Sequence, residues 1–355
     1  MAVILSCRHK GMPKSFYSHD AILLESIASR DTNRPDKDLQ MSNPPVTTLS
    51  RRAIVRGGMA AGVGLALAAP LALGAAAASL PLITKTIPST GEKLPVVGIG
   101  TNQFSVTAPD EIAARREVLD HLPQLGGKVV DTAWGYGDSE AVIGKLVKEI
   151  GNRDKLFLAT KTPMRGDIPP GSAVVDEALA RMQTTHLDLL QIHNFHGIDE
   201  LFPVLFEAQQ AKKIRYIGAT TSSSDQHSLL LEALGSRKLD FIQVDYSIDD
   251  QDAEPVLQAA HEKGVAVLIN VPLGGRHGSL LTKVKDKPLP GWAADIDATS
   301  WAQVLLKYTI AHPAVTAVIP GTTKLTHLED NQAAGRGRLP DAAFRKKIEA
   351  YWATV

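Results

Sequence analysis

Cysteine is almost missing from this sequence: of 355 residues, only Cys7 carries a thiol. Residues 79–355 have none, which excludes a disulfide framework and thiolate catalysis from that part of the chain. A cysteine-free body suits an oxidising compartment, where nothing can be mispaired. Net charge is missing too, since 38 Lys and Arg balance 38 Asp and Glu. No strong overall field draws the chain to nucleic acid or an anionic membrane, and no interleaving of aromatic with basic residues calls for a nucleic-acid partner. Metal-ligand spacing is absent as well: His193-Asn194-Phe195-His196 has no adjacent cysteine or carboxylate ligands, so no metal is expected.

The neutrality is an average over two regions. Residues 1–78 hold nine of the basic and five of the acidic residues, leaving 29 basic against 33 acidic for a mildly acidic remainder. Within the front region, Ser50-Arg51-Arg52-Ala53-Ile54-Val55-Arg56 precedes a nearly uncharged run from Gly57 to Leu80 that ends in small residues at Ala75–Ala78. A basic stretch, an apolar stretch and a small-residue exit form a signal-peptide pattern. The twin arginines make it similar to a bacterial twin-arginine export signal. It implies the twin-arginine export machinery as a partner and a periplasmic location. The run is also long enough to span a bilayer, but its glycines, alanines and Pro70 favour cleavage over a retained membrane anchor. Residues 1–40 are polar and aperiodic, and Met41 is a candidate start. The expected division is therefore a leader over 1–78 and one domain over 79–355, the latter expected to be monomeric.

That domain has enough apolar residues, 44% over the whole chain, for one large core. Short apolar runs alternate with amphipathic segments. Ser89-Thr90-Gly91 between two extended pieces reads as a small hairpin. Core strands are expected at 96–100, 129–133, 156–161, 187–193, 216–220, 241–245, 266–270 and 315–320. Helical patterns fill 109–125, 139–150, 173–182, 201–213, 226–234, 253–263 and 301–312, with one more from Leu325 and a terminal one over 341–352. Strands apolar on both faces favour a parallel sheet covered by helices. Eight strand–helix units predict a (β/α)8 TIM barrel with an N-terminal β-hairpin and a C-terminal accessory helix. The competing doubly wound fold would carry a glycine-rich dinucleotide loop, and Gly98-Ile99-Gly100 does not complete that pattern. The long connection 274–299, with little apolar periodicity, would lie over the C-terminal mouth of the barrel as a cofactor clamp.

Four polar residues fall at that mouth. Asp131 is in the second strand, Tyr136 in the loop after it, Lys161 at the end of the third and His193 at the end of the fourth. A free tyrosine titrates at about 10, a poor match to proton exchange near neutrality. A lysine beside it favours the phenolate, an aspartate holds the lysine, and a histidine orients a carbonyl oxygen. The same residues could instead be a structural ion pair, a rim aromatic and a satisfied strand-end histidine; their joint placement favours chemistry.

The segments Asp131-Thr132-Ala133-Trp134-Gly135-Tyr136-Gly137-Asp138-Ser139-Glu140, Phe157-Leu158-Ala159-Thr160-Lys161 and Leu189-Leu190-Gln191-Ile192-His193-Asn194 resemble, in order, the three active-site motifs of the aldo-keto reductase family. The resemblance runs from about Leu80 to the C-terminus. It implies that Asp131, Tyr136, Lys161 and His193 are the catalytic tetrad of a carbonyl oxidoreductase, with Tyr136 as proton donor, a small-molecule aldehyde or ketone as substrate and NADPH/NADP+ as cofactor, NADH/NAD+ being the alternative. It further implies carboxamide contacts from Thr220, Thr221 and Gln243, with Thr220-Thr221 standing where the family usually has Ser-Asn. Asn270 replaces a stacking aromatic, and Leu273, Gly274 and Arg276 would approach the pyrophosphate. Gly321, Thr322, Lys324 and His327 would meet the adenosine phosphate and Asn331 the adenine. Trp134, Met164 and Arg165 are candidates for the substrate side. Two other readings stay open: a nicotinamide-binding or interaction protein with little turnover, and a metal-dependent barrel hydrolase.

Overall fold

The computed structural model of the chain describes residues 80–275 and 278–355. A hairpin of β1 (Thr84–Thr86) and β2 (Lys93–Pro95) leads into β3 (Ile99–Gly100). Strand and helix then alternate: α1 (Pro109–Gln124), β4 (Val129–Asp131), α2 (Ser139–Ile150), β5 (Phe157–Lys161), α3 (Ala173–Arg181), β6 (Leu187–His193), α4 (Ile198–Gln210), β7 (Ile214–Thr220), α5 (His227–Ser236), β8 (Phe241–Asp245), α6 (Glu254–Glu262) and β9 (Ala266–Asn270). After a longer connection come α8 (Trp301–Ile310), β10 (Ala317–Val318), α9 (Leu325–Ala334) and α10 (Ala342–Trp352), with the short α7 (Leu280–Lys283) inside the connection.

Strands β3 to β10 pair in sequence order, all parallel. Bridges between Val97 and Val318 and between Gly100 and Gly321 join the first strand to the last. The sheet is thus a (β/α)8 barrel, as the alternation predicts. Its end strands are shorter than the apolar runs suggest. Gly98 lies so close to β4 that a Cβ there would sit 2.6 Å from Val129 Cβ, and Pro320 has no N–H to extend a ladder.

Side chains alternate across each strand, and that alternation builds two cores. Outward residues pack against the helices in one large cluster that includes Val130, Leu158, Leu190, Ile192, Ile242 and Val267. Inward residues fill the barrel: Val129, Phe157, Ala159, Leu189, Tyr216, Phe241, Leu268 and Ala317, with Ile87 and Leu94 of the hairpin. Phe157, Tyr216 and Phe241 meet with ring centroids 5.4–5.8 Å apart. The hairpin caps this end by polar contacts as well. The Tyr216 hydroxyl donates to Glu92 at 2.7 Å, and Arg215 pairs with the same carboxylate.

Residues 278–299 of the long connection are more ordered than their composition suggests. Besides α7 it holds a 3-10 turn over Gly291–Ile296, and Leu280, Val284, Ala293 and Ile296 are buried in the outer core. Isolated apolar residues at irregular spacing anchor it, which is why no helical period is visible. Helix α8 starts at Ser300, whose hydroxyl accepts from the Gln303 N–H. Helix α10 starts at Asp341, which accepts from the Phe344 N–H.

Residues 1–79, with Cys7, the twin arginines and the expected leader, lie outside the described residues. Among the described residues no helix is long and apolar enough to cross a membrane. The expectation of an exported periplasmic protein with a possible retained anchor is corrected accordingly: no described helix could serve as that anchor.

Candidate active site

Going up each strand, the inward positions change from apolar to polar near the C-terminal end. Val129 gives way to Asp131, Ala159 to Lys161, Leu189 to Gln191 and His193, Phe241 to Gln243 and Asp245, and Leu268 to Asn270. Period-two geometry therefore collects these polar side chains in one layer above the apolar plug.

The centre of that layer is an ion pair. Lys161 Nζ donates to Asp131 Oδ2 at 2.6 Å and to the Thr132 carbonyl at 2.7 Å. Both side chains are almost fully buried. Burial alone would drive the lysine towards its neutral form, but the Asp131 carboxylate and the other acidic groups around it more than offset this and hold its pKa above the ordinary value. The ammonium also lies 5.4 Å from the centroid of the Tyr136 ring. Tyr136 is carried by the turn after β4, where its N–H donates to the Ala133 carbonyl and its carbonyl accepts from Ser139.

His193 ends β6, and its backbone N–H donates to Thr162 Oγ1 at 3.3 Å. Burial and, after it, the Lys161 charge push the imidazole pKa down to about 3. The ring is therefore neutral near pH 7. Its Nδ1 is buried with no hydrogen-bond partner among the described residues. The chain reverses at once after it, with Asn194 and Phe195 in the left-handed region, a conformation L residues adopt only under constraint.

Asp131 is braced from two further strands. Gln243 Nε2 donates to Oδ2 at 3.2 Å and Gln191 Nε2 to Oδ1 at 3.4 Å. Gln191 Nε2 also donates to Gln243 Oε1, and Gln243 Nε2 to Asn270 Oδ1, each at 2.5 Å. A buried chain of amides thus links Asp131 to Asn270.

Above the layer opens a cleft of about 620 Å³, lined by Asp131, Tyr136, Asn270, Leu273, Gly274 and Gly321 among others. Of the residues expected at a cofactor, those four last-named reach the cleft wall. Gln243 lies beneath it, bonded as described. Thr220 and Thr221 are buried; the Thr221 hydroxyl donates to Gln226 Oε1 at 2.6 Å and accepts from the Ser223 N–H. Ser222 lines the cleft in their place. Thr322 and Asn331 are buried together, Asn331 Nδ2 donating to Thr322 Oγ1 at 3.2 Å. Lys324 and His327 are exposed nearby on α9 and the turn before it. Arg276 lies outside the described residues. Met164 and Trp134 are half-buried and Arg165 is exposed.

Several lining residues were not singled out in the sequence: Asn102, Gln103, Asp245 and Ser222, and Gln191 below them. For Gln191 a signal existed. It stands two residues before His193 in a strand, hence on the same face. Asn102 and Gln103 follow a strand of only two residues, and no period reaches them.

The cleft suits a dinucleotide. Gly100, Gly274, Gly275 and Gly321 form much of its rim, so backbone can come close to phosphate. At Gly274, φ is +94°, and a Cβ would stand 2.4 Å from the Gly278 carbonyl; only glycine makes that turn. Among the described residues no group of three or more His, Cys, Asp or Glu side chains is placed to hold a metal ion.

Comparison with known proteins gives a consistent result. The Aldo/keto reductase family model matches residues 96–351. The aldo-keto reductase str7 of Strobilurus tenacellus is 29% identical over 280 residues, covering 66% of this chain and 81% of its own length. The Schizosaccharomyces pombe aldo-keto reductase yakc, whose name includes NADP(+), is 25% identical over 311 residues, covering 73% and 89%. Among solved structures, aldo-keto reductase AKR11C1 from Bacillus halodurans in its holo form superposes with a TM-score of 0.61 at 24% identity, over 76% of this chain and 96% of that one. At that identity the likeness speaks for the fold.

Proposed function

This chain belongs to the aldo/keto reductase family, and from that premise we propose that it is an NADP(H)-dependent oxidoreductase that reduces an aldehyde or ketone with Tyr136 as proton donor. The observation that carries this reading is the buried Asp131–Lys161 pair set against the Tyr136 ring at the floor of a glycine-rimmed cleft. The NADP(+) in the name of yakc supports the choice of NADP(H).

When bound, the cofactor supplies the hydride equivalent to the carbonyl carbon. The protein's part is to hold the substrate oxygen and to move one proton. Tyr136 gives its hydroxyl proton to that oxygen, and the fixed ammonium of Lys161 stabilises the phenolate left behind. Asp131 keeps the ammonium charged and in place. His193, neutral at the end of β6, donates a hydrogen bond that orients the oxygen and does not compete as an acid. In the alcohol-oxidising direction the proton returns to Tyr136.

For the dinucleotide, Gly274, Gly275 and Gly321 offer backbone to the phosphates, and Leu273 gives an apolar wall. Lys324 and His327 are free of the cleft wall and exposed, so they can approach a phosphate at the adenosine end. Thr220 and Thr221 have little exposed surface, and Ser222 offers the hydroxyl there. Asn270 and Gln243 are a preset amide pair for the carboxamide, which would exchange one amide bond for another.

The test is cofactor oxidation over a panel of aldehydes and ketones with NADPH and with NADH. Turnover with NADPH that falls at least about a hundredfold in Tyr136→Phe, with cofactor affinity kept, supports the reading. Unchanged turnover in Tyr136→Phe removes that residue as proton donor. Tight cofactor binding with no turnover on any carbonyl would favour a binding protein instead.

A further inference from the structure

Gln191 has no part in the chemistry just described, yet it is built into the centre of the site. It is fully buried on the inner face of β6, two residues before His193. The neighbouring strand makes room for it. Gln191 pairs with Gly218 across the β6–β7 ladder, and a Cβ at 218 would stand 2.9 Å from Gln191 Cγ. Burying an amide is unfavourable unless hydrogen bonds compensate, and a leucine or methionine of similar size would fill the same space. Gln191 does not even satisfy itself: its Oε1 has no hydrogen-bond partner among the described residues. Its gain lies entirely in its N–H groups.

Those groups do two things. One contact runs to Asp131 Oδ1 at 3.4 Å, the carboxylate oxygen that Lys161 and Gln243 do not use. The other, at 2.5 Å, engages Gln243 Oε1. That second bond fixes which way the Gln243 amide faces. With its oxygen held by Gln191, its nitrogen must turn to Asp131 Oδ2 and Asn270 Oδ1; flipped, it would present an oxygen to the carboxylate. Gln191 therefore controls, directly and through Gln243, the amide donors on Asp131.

We propose that Gln191 is a positioning residue of the hydride-transfer site: through its own N–H and the orientation it imposes on Gln243, it keeps the buried Asp131 an anion and so keeps Lys161 charged beneath Tyr136. This rests on the function proposed above. The groups that face Asp131 are Lys161 from β5, Gln191 from β6 and Gln243 from β8. Lys161 in turn faces Tyr136 from the turn after β4, Glu140 from α2 and His193 from β6. Without Gln191, the buried carboxylate loses donors and takes up a proton more readily. Lys161 then loses its counter-charge, and the phenolate of Tyr136 its support.

The experiment uses full-length Gln191→Met, which keeps the volume and removes the donor. Two readouts are taken. In the pH profiles of carbonyl reduction with NADPH and of alcohol oxidation with NADP+, the apparent pKa of the proton-transfer step moves up, and kcat falls about tenfold. In carbon-13 carboxyl spectra, assigned with Asp131→Asn, the Asp131 titration midpoint moves upward. A packing role alone would lower stability and leave both midpoints in place, and that result overturns the proposal. The carboxyl titration does not depend on turnover. A wild-type chain that reduces no carbonyl sinks the functional reading, while a fixed Asp131 midpoint sinks the role of Gln191. Should Gln191→Met fail to fold, Gly218→Ala displaces the same amide from the next strand. The same upward movement is expected there, and its absence contradicts the proposal equally.

Discussion

Lys161 Nζ and Asp131 Oδ2 lie 2.6 Å apart, each on its own strand and each removed from water. The β4–β5 register pairs Asp131 with Ala159, so Lys161 sits one inward position higher and reaches back over the aspartate. The pair is sound only as a pair. Lys161→Met leaves an uncompensated buried carboxylate, and breaking such a pair costs about 3–5 kcal/mol. Denaturant melts should show that loss. The double variant Lys161→Met/Asp131→Leu should recover much of the stability and none of the carbonyl turnover. Recovery of turnover would contradict the assigned roles.

His193 provides a test by pH. Its folded-state pKa is pushed down to about 3, by burial first and by the Lys161 charge second, against about 6.5 in the unfolded chain. Between these values the unfolded state binds a proton that the folded state refuses, so stability rises with pH through this window. The contribution is fully present above about 6.5 and is lost as the pH falls towards 3. His193→Gln should flatten that part of the acid-stability curve. In proton NMR, the His193 ring should not titrate near neutrality; a midpoint close to 6.5 would contradict the neutral hydrogen-bond donor.

At the opposite end of the barrel, Asp188 accepts from Arg153 at 2.9 Å, from Arg215 at 2.7 Å and from the Leu158 N–H at 2.8 Å. Its carboxylate is buried. Conservation of chemistry at one end and of stability at the other is the usual division of labour in this barrel. Asp188→Ala is expected to lower stability by about 1–3 kcal/mol, chiefly through the buried hydrogen bonds it removes, while kcat stays within a factor of about two of the parent at a temperature where both are folded. A selective loss of kcat would show that the two ends are coupled.

Helix packing gives a further stability test. A Cβ on Gly144 of α2 would stand 2.4 Å from the carbonyl carbon of Met182, just past α3. Since backbone cannot step aside cheaply, Gly144→Ala should destabilise by about 1–3 kcal/mol, read from thermal melts. A neutral result would mean that α2 and α3 are less closely apposed.

Much of the fold was legible because two periods carry it. Apolar runs at strand length alternating with helical stretches specify eight parallel strands, and the alternation within β4, β5 and β6 puts Asp131, Lys161 and His193 on one inner surface. The arrangement of amides was not legible. Nothing in the residue types tells that Gln243 is held by Gln191 and Asn270, or that Thr221 turns to Gln226 while Ser222 meets the cleft; those choices depend on side-chain angles at strand ends. The anchoring of the 274–299 connection was hidden for a related reason, since Leu280, Val284, Ala293 and Ile296 meet the core without a common period. The residue types at Thr322 and Asn331 likewise do not tell that the two are hydrogen-bonded to each other in the fold.

The most direct test of the central claim follows the hydrogen itself. NADPH carrying deuterium at the transferable position of its nicotinamide is incubated with the full-length protein and an aldehyde that it turns over, and the alcohol is examined by mass spectrometry and NMR. Deuterium should appear on the former carbonyl carbon of every product molecule in the wild-type reaction, with the hydroxyl proton from solvent, and product should be nearly abolished in Tyr136→Phe. An alcohol whose carbon carries solvent hydrogen, or one formed at an undiminished rate by Tyr136→Phe, would contradict direct transfer at this site.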